Sequence, residues 1–397
     1  MMIRIASIFI FLFAATNAHA ETIGAADRTV SLTVSSDTLG ETREIYVRTP
    51  IHYDDKATYP VVYVLDGEWN FELVAAHLDF MNDNGVMPPM IVTGVRNVNR
   101  NRDYLPVPDD NHFDSGAAAA FLDFVEDDWI SAVENAYPAS GERVIVGHSF
   151  GGVFALYAFF ENPALFDATI AVSASAWVGD NALSDMARAR FADGVPSDRY
   201  VYMAPGEFDG GPTRPSGEAL GAIFDEAAPE TLDWVFEIIA GAEHFKAFTG
   251  ALNNSFNRLF PGETFATDAR AAGKEGGADA VRAWFDEKER ALGWRFFPAW
   301  FDFGVAAIIL SRDDPAAGVE IINRTRPYHQ NDANFAALSA QVYENAGAFE
   351  NAEAEYERAI DIANARALHP NVIHLDRLEA GLQRVRAKKN ATSDSET

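Results

Sequence analysis

The amino-acid sequence predicts a doubly wound, mostly parallel α/β sheet followed by a smaller all-α domain of helical repeats. From Arg28 to about Pro261, short β-rich runs alternate with helix-length segments, which is typical of a sheet covered by helices on both faces. Beyond about Ala280 the strand signals stop and apolar residues recur at helical spacing. With 397 residues the chain is long enough for both units.

The strand candidates are of two kinds. Val30–Val34 and Glu44–Val47 alternate polar with apolar residues, as half-buried strands do. Helix-length segments such as Ala117–Ala136 and Gly152–Phe160 separate the later candidates. Those later candidates are nearly continuous apolar runs, which suit parallel strands buried on both faces: Val61–Leu65, Met90–Val95, Val144–Val146, Ala168–Val172, Val201–Met203 and Val235–Ile239.

The carboxy-terminal part has a different composition. Residues 262–279 are rich in Gly, Ala, Glu and Asp, which predicts a linker or a weakly packed helix. Within residues 280–389, small and large apolar residues from Ala340 to Ala359 are spaced as in a tetratricopeptide repeat, and a degraded copy lies about 34 residues earlier. An ordinary pair of helical hairpins is the alternative. Residues 390–397 are polar, and we expect them to form a disordered tail.

The first twenty residues have the anatomy of a secretory signal peptide. Arg4 supplies a positive charge, Ile5–Ala15 is an apolar core, and Ala18-His19-Ala20 is a cleavage site of the small-x-small type. The apolar run is too short to span a bilayer. We therefore expect cleavage after Ala20, export to the periplasm or the medium without stable membrane insertion, and an α/β domain over residues 21–261.

Composition excludes several classes of function. The net charge is −28 at pH 7, and such a chain repels the phosphate backbone of nucleic acids. It has no cysteine, so disulfides, thiolate metal sites and cysteine nucleophiles are excluded. No His-Glu-x-x-His motif occurs. We predict neither a metal nor a cofactor.

The most informative segment is Gly147-His148-Ser149-Phe150-Gly151. An apolar strand runs into it and an apolar helix follows it. Small residues two places before and after a serine allow a sharp turn that lifts its hydroxyl above a sheet. This context predicts that Ser149 is a nucleophile and that the amide of Phe150 is an oxyanion donor.

A nucleophilic serine needs a base and an acid, in the chain order Ser, Asp or Glu, His. Four histidines follow Ser149, and His244 alone comes directly after a predicted strand of the sheet, so we predict it as the base. The preceding strand ends in a loop with two carboxylates. Asp209 is the favoured acid and Glu207 the alternative.

Further site residues are predicted from the other strand ends. The amide of Gly67 or Glu68, after the third strand, is the candidate for a second oxyanion donor. The four candidates for substrate binding follow strands at the same edge: Trp69, Arg96, Arg102 and Trp177. Core packing is the alternative for each tryptophan, and a structural ion pair is the alternative for each arginine.

Residues Tyr59 to about Phe260 resemble the putative esterase family of the α/β-hydrolase superfamily, which includes esterase D-like and enterobactin-esterase-like enzymes. One departure is Ala174, where proline is usual. The resemblance implies hydrolysis of acyl esters or thioesters by Ser149 and His244, and it leaves the acid ambiguous. It rests on an ordered series of motifs: Tyr59-Pro60-Val61-Val62-Tyr63-Val64-Leu65-Asp66-Gly67, Arg102-Asp103-Tyr104-Leu105-Pro106, Tyr137-Pro138, the segment around Ser149, Pro163-x-x-Phe166, Ser173-Ala174-Ser175-Ala176-Trp177 and Gly241-x-x-His244.

These observations together predict an exported serine hydrolase that cleaves small-molecule carboxylic esters through an acyl-serine. An inactive hydrolase fold that binds partners through its helical repeats is one alternative. An acyltransferase, which shares the acyl-serine, is another. The helical domain is expected either to cover the active site or to recruit a protein or peptide partner.

Overall fold

The computed structural model describes residues 28–51, 53–196, 198–365 and 374–395. The expected signal peptide, residues 1–20, lies outside the described residues, as does His369. Within the described ranges, the chain forms a mostly parallel sheet with helices on both faces, and a helical region follows it.

Each of the eight strands of the sheet overlaps one of the eight predicted strand segments, with bounds that differ most for β5 and β8. Their bounds are Thr29–Ser36 (β1), Glu41–Arg48 (β2), Tyr59–Val64 (β3), Ile91–Val95 (β4), Ala139–His148 (β5), Ala168–Val172 (β6), Tyr200–Ala204 (β7) and Asp233–Phe236 (β8). The spatial order is β1-β2-β4-β3-β5-β6-β7-β8. The pairs β1–β2 and β2–β4 are antiparallel, and the remaining pairs are parallel.

Helices connect the strands and cover the sheet. They are Gly67–Asp83 (α1), Arg100–Tyr104 (α2), Ala118–Asp123 (α3), Ser131–Ala136 (α4), Phe150–Glu161 (α5), Val178–Asp193 (α6), Thr213–Ala227 (α7) and His244–Leu259 (α8). A π-helical stretch, Phe124–Ile130, joins α3 to α4, so that the predicted helix over residues 117–136 forms in three parts. Separate apolar clusters fill the two faces of the sheet.

The strand order at the centre of the sheet determines where the site lies. Strands β3 and β5 lie side by side, while β4 lies outside β3 and β6 lies outside β5. The loops that follow β3 and β5 therefore diverge at the carboxyl edge of the sheet. Open α/β sheets bind their ligands at such a switch point.

The carboxy-terminal region consists of Gly262–Leu292 (α9), Trp300–Leu310 (α10), Pro315–Thr325 (α11), Ala333–Asn345 (α12), Phe349–Ala365 (α13) and Leu375–Ser395 (α14). For residues 262–279 the sequence predicts either a linker or a weakly packed helix. The structure has a helix there, because these residues belong to α9, which is kinked at Gly276 and Gly277. Helix α14 continues to Ser395, so the backbone of residues 390–395 is helical where we expected a tail. Apolar residues from these helices form a core of their own.

The helical region packs against the amino-terminal edge of the sheet. Trp300 donates its indole N–H to the carbonyl oxygen of Asn84 at 2.6 Å. A Cβ on Gly85, where φ is +63°, would lie 2.1 Å from that indole, so the close approach requires glycine. Arg295 pairs with Asp233 at the start of β8 and lies over the ring of Tyr200 at the start of β7.

This placement contradicts one of our two expectations for the helical domain. The site loops follow the carboxyl ends of the strands, whereas these contacts lie at the amino ends. The contacts of the described helices, α9 to α14, therefore place them at the edge opposite the site loops, and these helices do not cover the site.

Candidate active site

Ser149 occupies a sharp turn between β5 and α5. Its backbone has φ 60° and ψ −117°, a conformation that is strained for a residue with a Cβ. A Cβ on Gly147 would lie 2.1 Å from the carbonyl oxygen of Gly151, so the crossing of the strand by the helix requires glycine. The amide of Ser149 donates to Val172 of the neighbouring β6 at 2.9 Å. The turn predicted from the Gly-x-Ser-x-Gly segment is present.

His244, the first residue of α8, is paired with Asp209. Its Nδ1 donates to Oδ1 of Asp209 at 2.7 Å, and the amide of Gly206 donates to Oδ2 at 2.8 Å. Burial raises the pKa of Asp209, but its hydrogen bonds, chiefly that from His244, and the charge of His244 together outweigh burial and hold that pKa below the ordinary value. An ionised Asp209 fixes the proton on Nδ1, which leaves Nε2 of His244 as an acceptor.

Glu207, the alternative acid, has a different contact. Its Oε2 accepts a hydrogen bond of 2.7 Å from the amide of Gly241, and its own amide donates to Ile239 at 3.0 Å. Glu207 therefore braces the loop that leads to His244. The structure brings Asp209, and not Glu207, to the imidazole.

The hydroxyl of Ser149 points to a neighbouring serine in this structure. The Oγ atoms of Ser149 and Ser175 are 3.4 Å apart. No hydrogen bond joins Ser149 to His244 among the described residues. Catalytic hydrogen bonds are commonly long in unliganded sites and shorten when a substrate binds.

A cation that the sequence reasoning missed lies beside the serine turn. Arg100 donates from Nε to Oδ1 of Asp66 at 2.6 Å and from Nη2 to Oδ2 at 2.9 Å. The same Nη2 donates to the carbonyl oxygen of His148 at 3.1 Å. Its guanidinium lies over the ring of Phe150 at 5.0 Å. Arg100 thus joins the loop after β3 to the turn that carries Ser149.

The two arginines that were predicted as substrate ligands lie in ion pairs instead. Arg96 pairs with Glu44 at an exposed position, at 3.1 Å. Arg102 pairs with Glu41 and Asp103, both at 2.7 Å. Residues 96–102 contain three arginines. The direction of the short helix α2 decides which of them reaches the serine turn, and that one is Arg100. The sequence signal that could have identified it is Asp66, an acid directly after β3 that needs a buried partner.

The predicted oxyanion donors lie at the amino ends of two helices. Phe150 is the first residue of α5, and Gly67 and Glu68 are the first two residues of α1. Amides in a first helical turn have no partner within the helix. The side chain of Glu68 is held aside by Asn97, which donates to it from its backbone at 3.1 Å and from Nδ2 at 2.9 Å.

Aromatic side chains border the site. The ring of His112 lies 5.0 Å from Phe150 and 5.6 Å from Trp177, which makes a continuous wall. The indole N–H of Trp177 also donates a hydrogen bond to the hydroxyl oxygen of Thr213. Trp69 is 66% exposed, and its ring centroid lies 5.7 Å from the guanidinium carbon of Arg100. Both predicted tryptophans are therefore near the serine turn.

The part of the chain that the structure describes has neither a cluster of metal-ligating side chains nor a membrane-spanning helix. There, no group of three or more His, Cys, Asp or Glu side chains is arranged to hold a metal ion. No helix among the same residues has both the length and the apolar character needed to cross a membrane.

The sequence of the chain is similar to those of known esterases. Residues 36–200 match the model of the putative esterase family. The siderophore triacetylfusarinine C esterase of Aspergillus fumigatus is 31% identical over 35% of this chain and 53% of its own length. The ferri-bacillibactin esterase BesA of Bacillus subtilis is 31% identical over 36% of this chain and 56% of its own length. The chain thus spans about half the length of these two relatives.

A solved structure shows the same fold. An IroE-like serine hydrolase from Shewanella oneidensis aligns with a TM-score of 0.60 and 24% identity, over 76% of this chain and 98% of its own. At this identity the likeness concerns the fold. The chain has the α/β-hydrolase fold, and its residues 36–200 are similar to the putative esterase family.

Proposed function

We propose that this chain is a serine esterase that hydrolyses carboxylic esters through an acyl-serine intermediate. The observation that carries the proposal is the convergence of three parts at one sheet edge. Ser149 lies on a strained turn, the Asp209–His244 pair lies on the adjacent loops, and the Arg100 cation contacts the turn itself. Nucleophile, base with its acid, and positive charge are the components that acyl transfer requires.

The mechanism follows from these contacts. Nε2 of His244 takes the proton of Ser149 as the hydroxyl oxygen attacks the ester carbonyl, and Asp209 stabilises the imidazolium that forms. The amide of Phe150, the charge of Arg100 and a first-turn amide of Gly67 or Glu68 stabilise the oxyanion. His244 then protonates the leaving alcohol, and water releases the acyl group.

The substrate class that we propose is a siderophore ester. Two relatives are named as esterases of iron-chelating siderophores. The site also has exposed aromatic rings next to its working residues: Phe208 precedes Asp209, Phe245 follows His244, and Trp69 lies beside Arg100. Exposed rings around an open site suit a large substrate with flat, electron-rich groups.

Two sets of assays test the proposal. Purified protein is assayed with p-nitrophenyl butyrate beside Ser149→Ala and His244→Ala, and hydrolysis lost in both folded variants supports the acyl-serine. Triacetylfusarinine C and bacillibactin, each with and without iron, are then followed by mass spectrometry. Turnover of the small ester without turnover of either siderophore contradicts the substrate class and leaves the esterase proposal intact.

Export and a partner role for the helical region belong to the same proposal. The signal-like residues 1–20 support export, and amino-terminal sequencing of protein recovered from the periplasm or medium should begin at Glu21. A start at Met1 contradicts export by cleavage. We further propose that the helical region, which packs at the edge opposite the site, recruits a protein or peptide partner and does not select the ester.

A further inference from the structure

His148, the residue before the nucleophile, is buried between the working residues of the site. Its side chain lies beneath α8, where its ring centroid is 4.6 Å from that of His244 and 5.4 Å from that of Phe248. The residue is 6% exposed. Its backbone carbonyl accepts the hydrogen bond from Arg100. The proposed mechanism gives the imidazole itself no task.

The imidazole of His148 nevertheless has a specific partner. Its Nε2 donates to the carbonyl oxygen of His244 at 3.0 Å. The other anchors of the His244 loop come from the loop after β7: Glu207 holds Gly241, and the amide of Phe208 donates to Ala242 at 2.8 Å. The His148 bond is therefore a direct link from the nucleophile strand to the backbone of the base.

The geometry of the base depends on this link. The imidazole of His244 is held at Nδ1 by Asp209, but a ring held at one atom can still pivot about that bond. The backbone of His244 must also stay in place for Nε2 to reach Ser149. A displacement of about 1 Å in a reacting group can reduce a rate by about 10²-fold.

The neutral form of His148 suits this position. Burial, together with the nearby charge of His244, lowers the pKa of His148 to about 4. The ring is therefore neutral near pH 7, and it presents an uncharged aromatic face to His244. A neutral ring tolerates the imidazolium that forms during catalysis, whereas a second cation 4.6 Å away would oppose it.

We propose that His148 is a positioning residue, which fixes the backbone of His244 relative to Ser149 through the hydrogen bond from its Nε2. This inference rests on the proposed serine-esterase function. It assigns to the imidazole a role in the rate of acyl transfer, separate from substrate binding.

Two substitutions separate the hydrogen bond from the packing. His148→Gln keeps an N–H donor at about the place of Nε2, and His148→Met keeps a side chain of similar length without a donor. His77 offers a matched control, because it packs against Phe256 of the same helix α8 and its Nε2 has no hydrogen-bond partner among the residues that the structure describes. His77→Met thus disturbs the packing of α8 without removing a bond to His244.

The experiment compares kcat, KM and the rate of Ser149 labelling by a fluorophosphonate, for the full chain at a temperature well below each variant's unfolding transition. We expect His148→Met to lower kcat and the labelling rate by about 10- to 100-fold with KM within about threefold. We expect His148→Gln to recover most of the loss and His77→Met to match wild type.

Other outcomes overturn the inference in distinguishable ways. Equal rates for wild type and His148→Met, or equal losses in His148→Met and His148→Gln, show that the hydrogen bond does not position the base. A loss of the same size in His77→Met shows that packing under α8 is sufficient to explain the effect. Failure of wild type to hydrolyse p-nitrophenyl butyrate or to be labelled at Ser149 rejects the proposed function itself.

Discussion

Arg100 and Asp66 form a two-point ion pair, with N–O distances of 2.6 and 2.9 Å, beside the turn that carries Ser149. The carboxylate of Asp66 is fully buried, whereas the guanidinium is partly exposed to the site. Such a bidentate pair fixes the plane as well as the position of the guanidinium. A charge held in this way is already oriented when an oxyanion forms, so it can stabilise the transition state without reorganisation.

The first prediction concerns the shape of that cation. Arg100→Lys keeps the charge and loses the two-point pair with Asp66, so kcat on p-nitrophenyl butyrate should fall by about 10²-fold. Arg96→Lys is the matched control, because Arg96 forms an exposed pair with Glu44, and its kinetics should equal those of wild type. Equal kcat values for Arg100→Lys and wild type would remove Arg100 from the oxyanion site.

The second prediction separates the two candidate acids. Asp209→Asn removes the charge that holds the Nδ1 proton of His244, and kcat should fall by up to about 10⁴-fold. Glu207→Gln keeps an oxygen that can accept from Gly241, so kcat should stay close to the wild-type value. Steady-state kinetics of the two variants decide the assignment, and the reverse order of losses would make Glu207 the acid.

The amount that the sequence could predict differs between the fold and the site. Strands β3 to β8 were recognisable because a parallel strand buried on both faces is a short apolar run, and β1 and β2 because polar and apolar residues alternate in a half-buried strand. Both signals are local. The choice between Asp209 and Glu207 was not local. The side chains of these two residues point in different directions from one loop. The hydrogen bond from the amide of Gly206 turns the carboxylate of Asp209 inward, and a sequence pattern does not show this contact.

Arg100 was missed for a related reason. Charged residues are normally solvated. The position of Asp66 directly after β3 indicates that a cation should pair with it, but the direction of α2, which makes that cation Arg100 and not Arg102, is not encoded locally. The position of the helical region was also beyond sequence reasoning. Its docking edge depends on long-range contacts such as that between Trp300 and Asn84, which helical periodicity does not encode.

The third prediction uses pH. Because burial and the charge of His244 lower the pKa of His148 to about 4, from an ordinary value of 6.5, the unfolded chain binds a proton at this site more readily than the folded chain. Stability should therefore decrease as pH falls from about 6.5 to about 4. His148→Gln removes this group and should make the decrease less steep, as measured by urea unfolding across that range. An unchanged slope would contradict the buried neutral state.

The fourth prediction concerns the helical region. Trp300→Ala removes the indole that packs on Gly85 and donates a hydrogen bond to Asn84. We expect it to lower the free energy of unfolding by about 2 kcal/mol, which is less than the loss of a fully buried tryptophan would cost, because Trp300 is half-buried. Its neighbour Phe301 is 55% exposed, so Phe301→Ala should change stability by less than about 0.5 kcal/mol.

Both of these variants should keep the wild-type kcat/KM on p-nitrophenyl butyrate, because the helical region packs at the edge opposite Ser149. Denaturant unfolding and steady-state kinetics on the same preparations give the two values. A selective change in kcat/KM in either folded variant would indicate that the helical region acts on the site.

Reaction of Ser149 with a fluorophosphonate tests the central claim most directly, because the probe needs an activated serine and no knowledge of the natural substrate. The account predicts a single covalent adduct, which peptide mapping places on Ser149 and which is absent in Ser149→Ala and strongly slowed in His244→Ala. A folded wild-type protein that remains unlabelled, or that is labelled equally fast in His244→Ala, would contradict the claim that Ser149 and His244 work together as nucleophile and base.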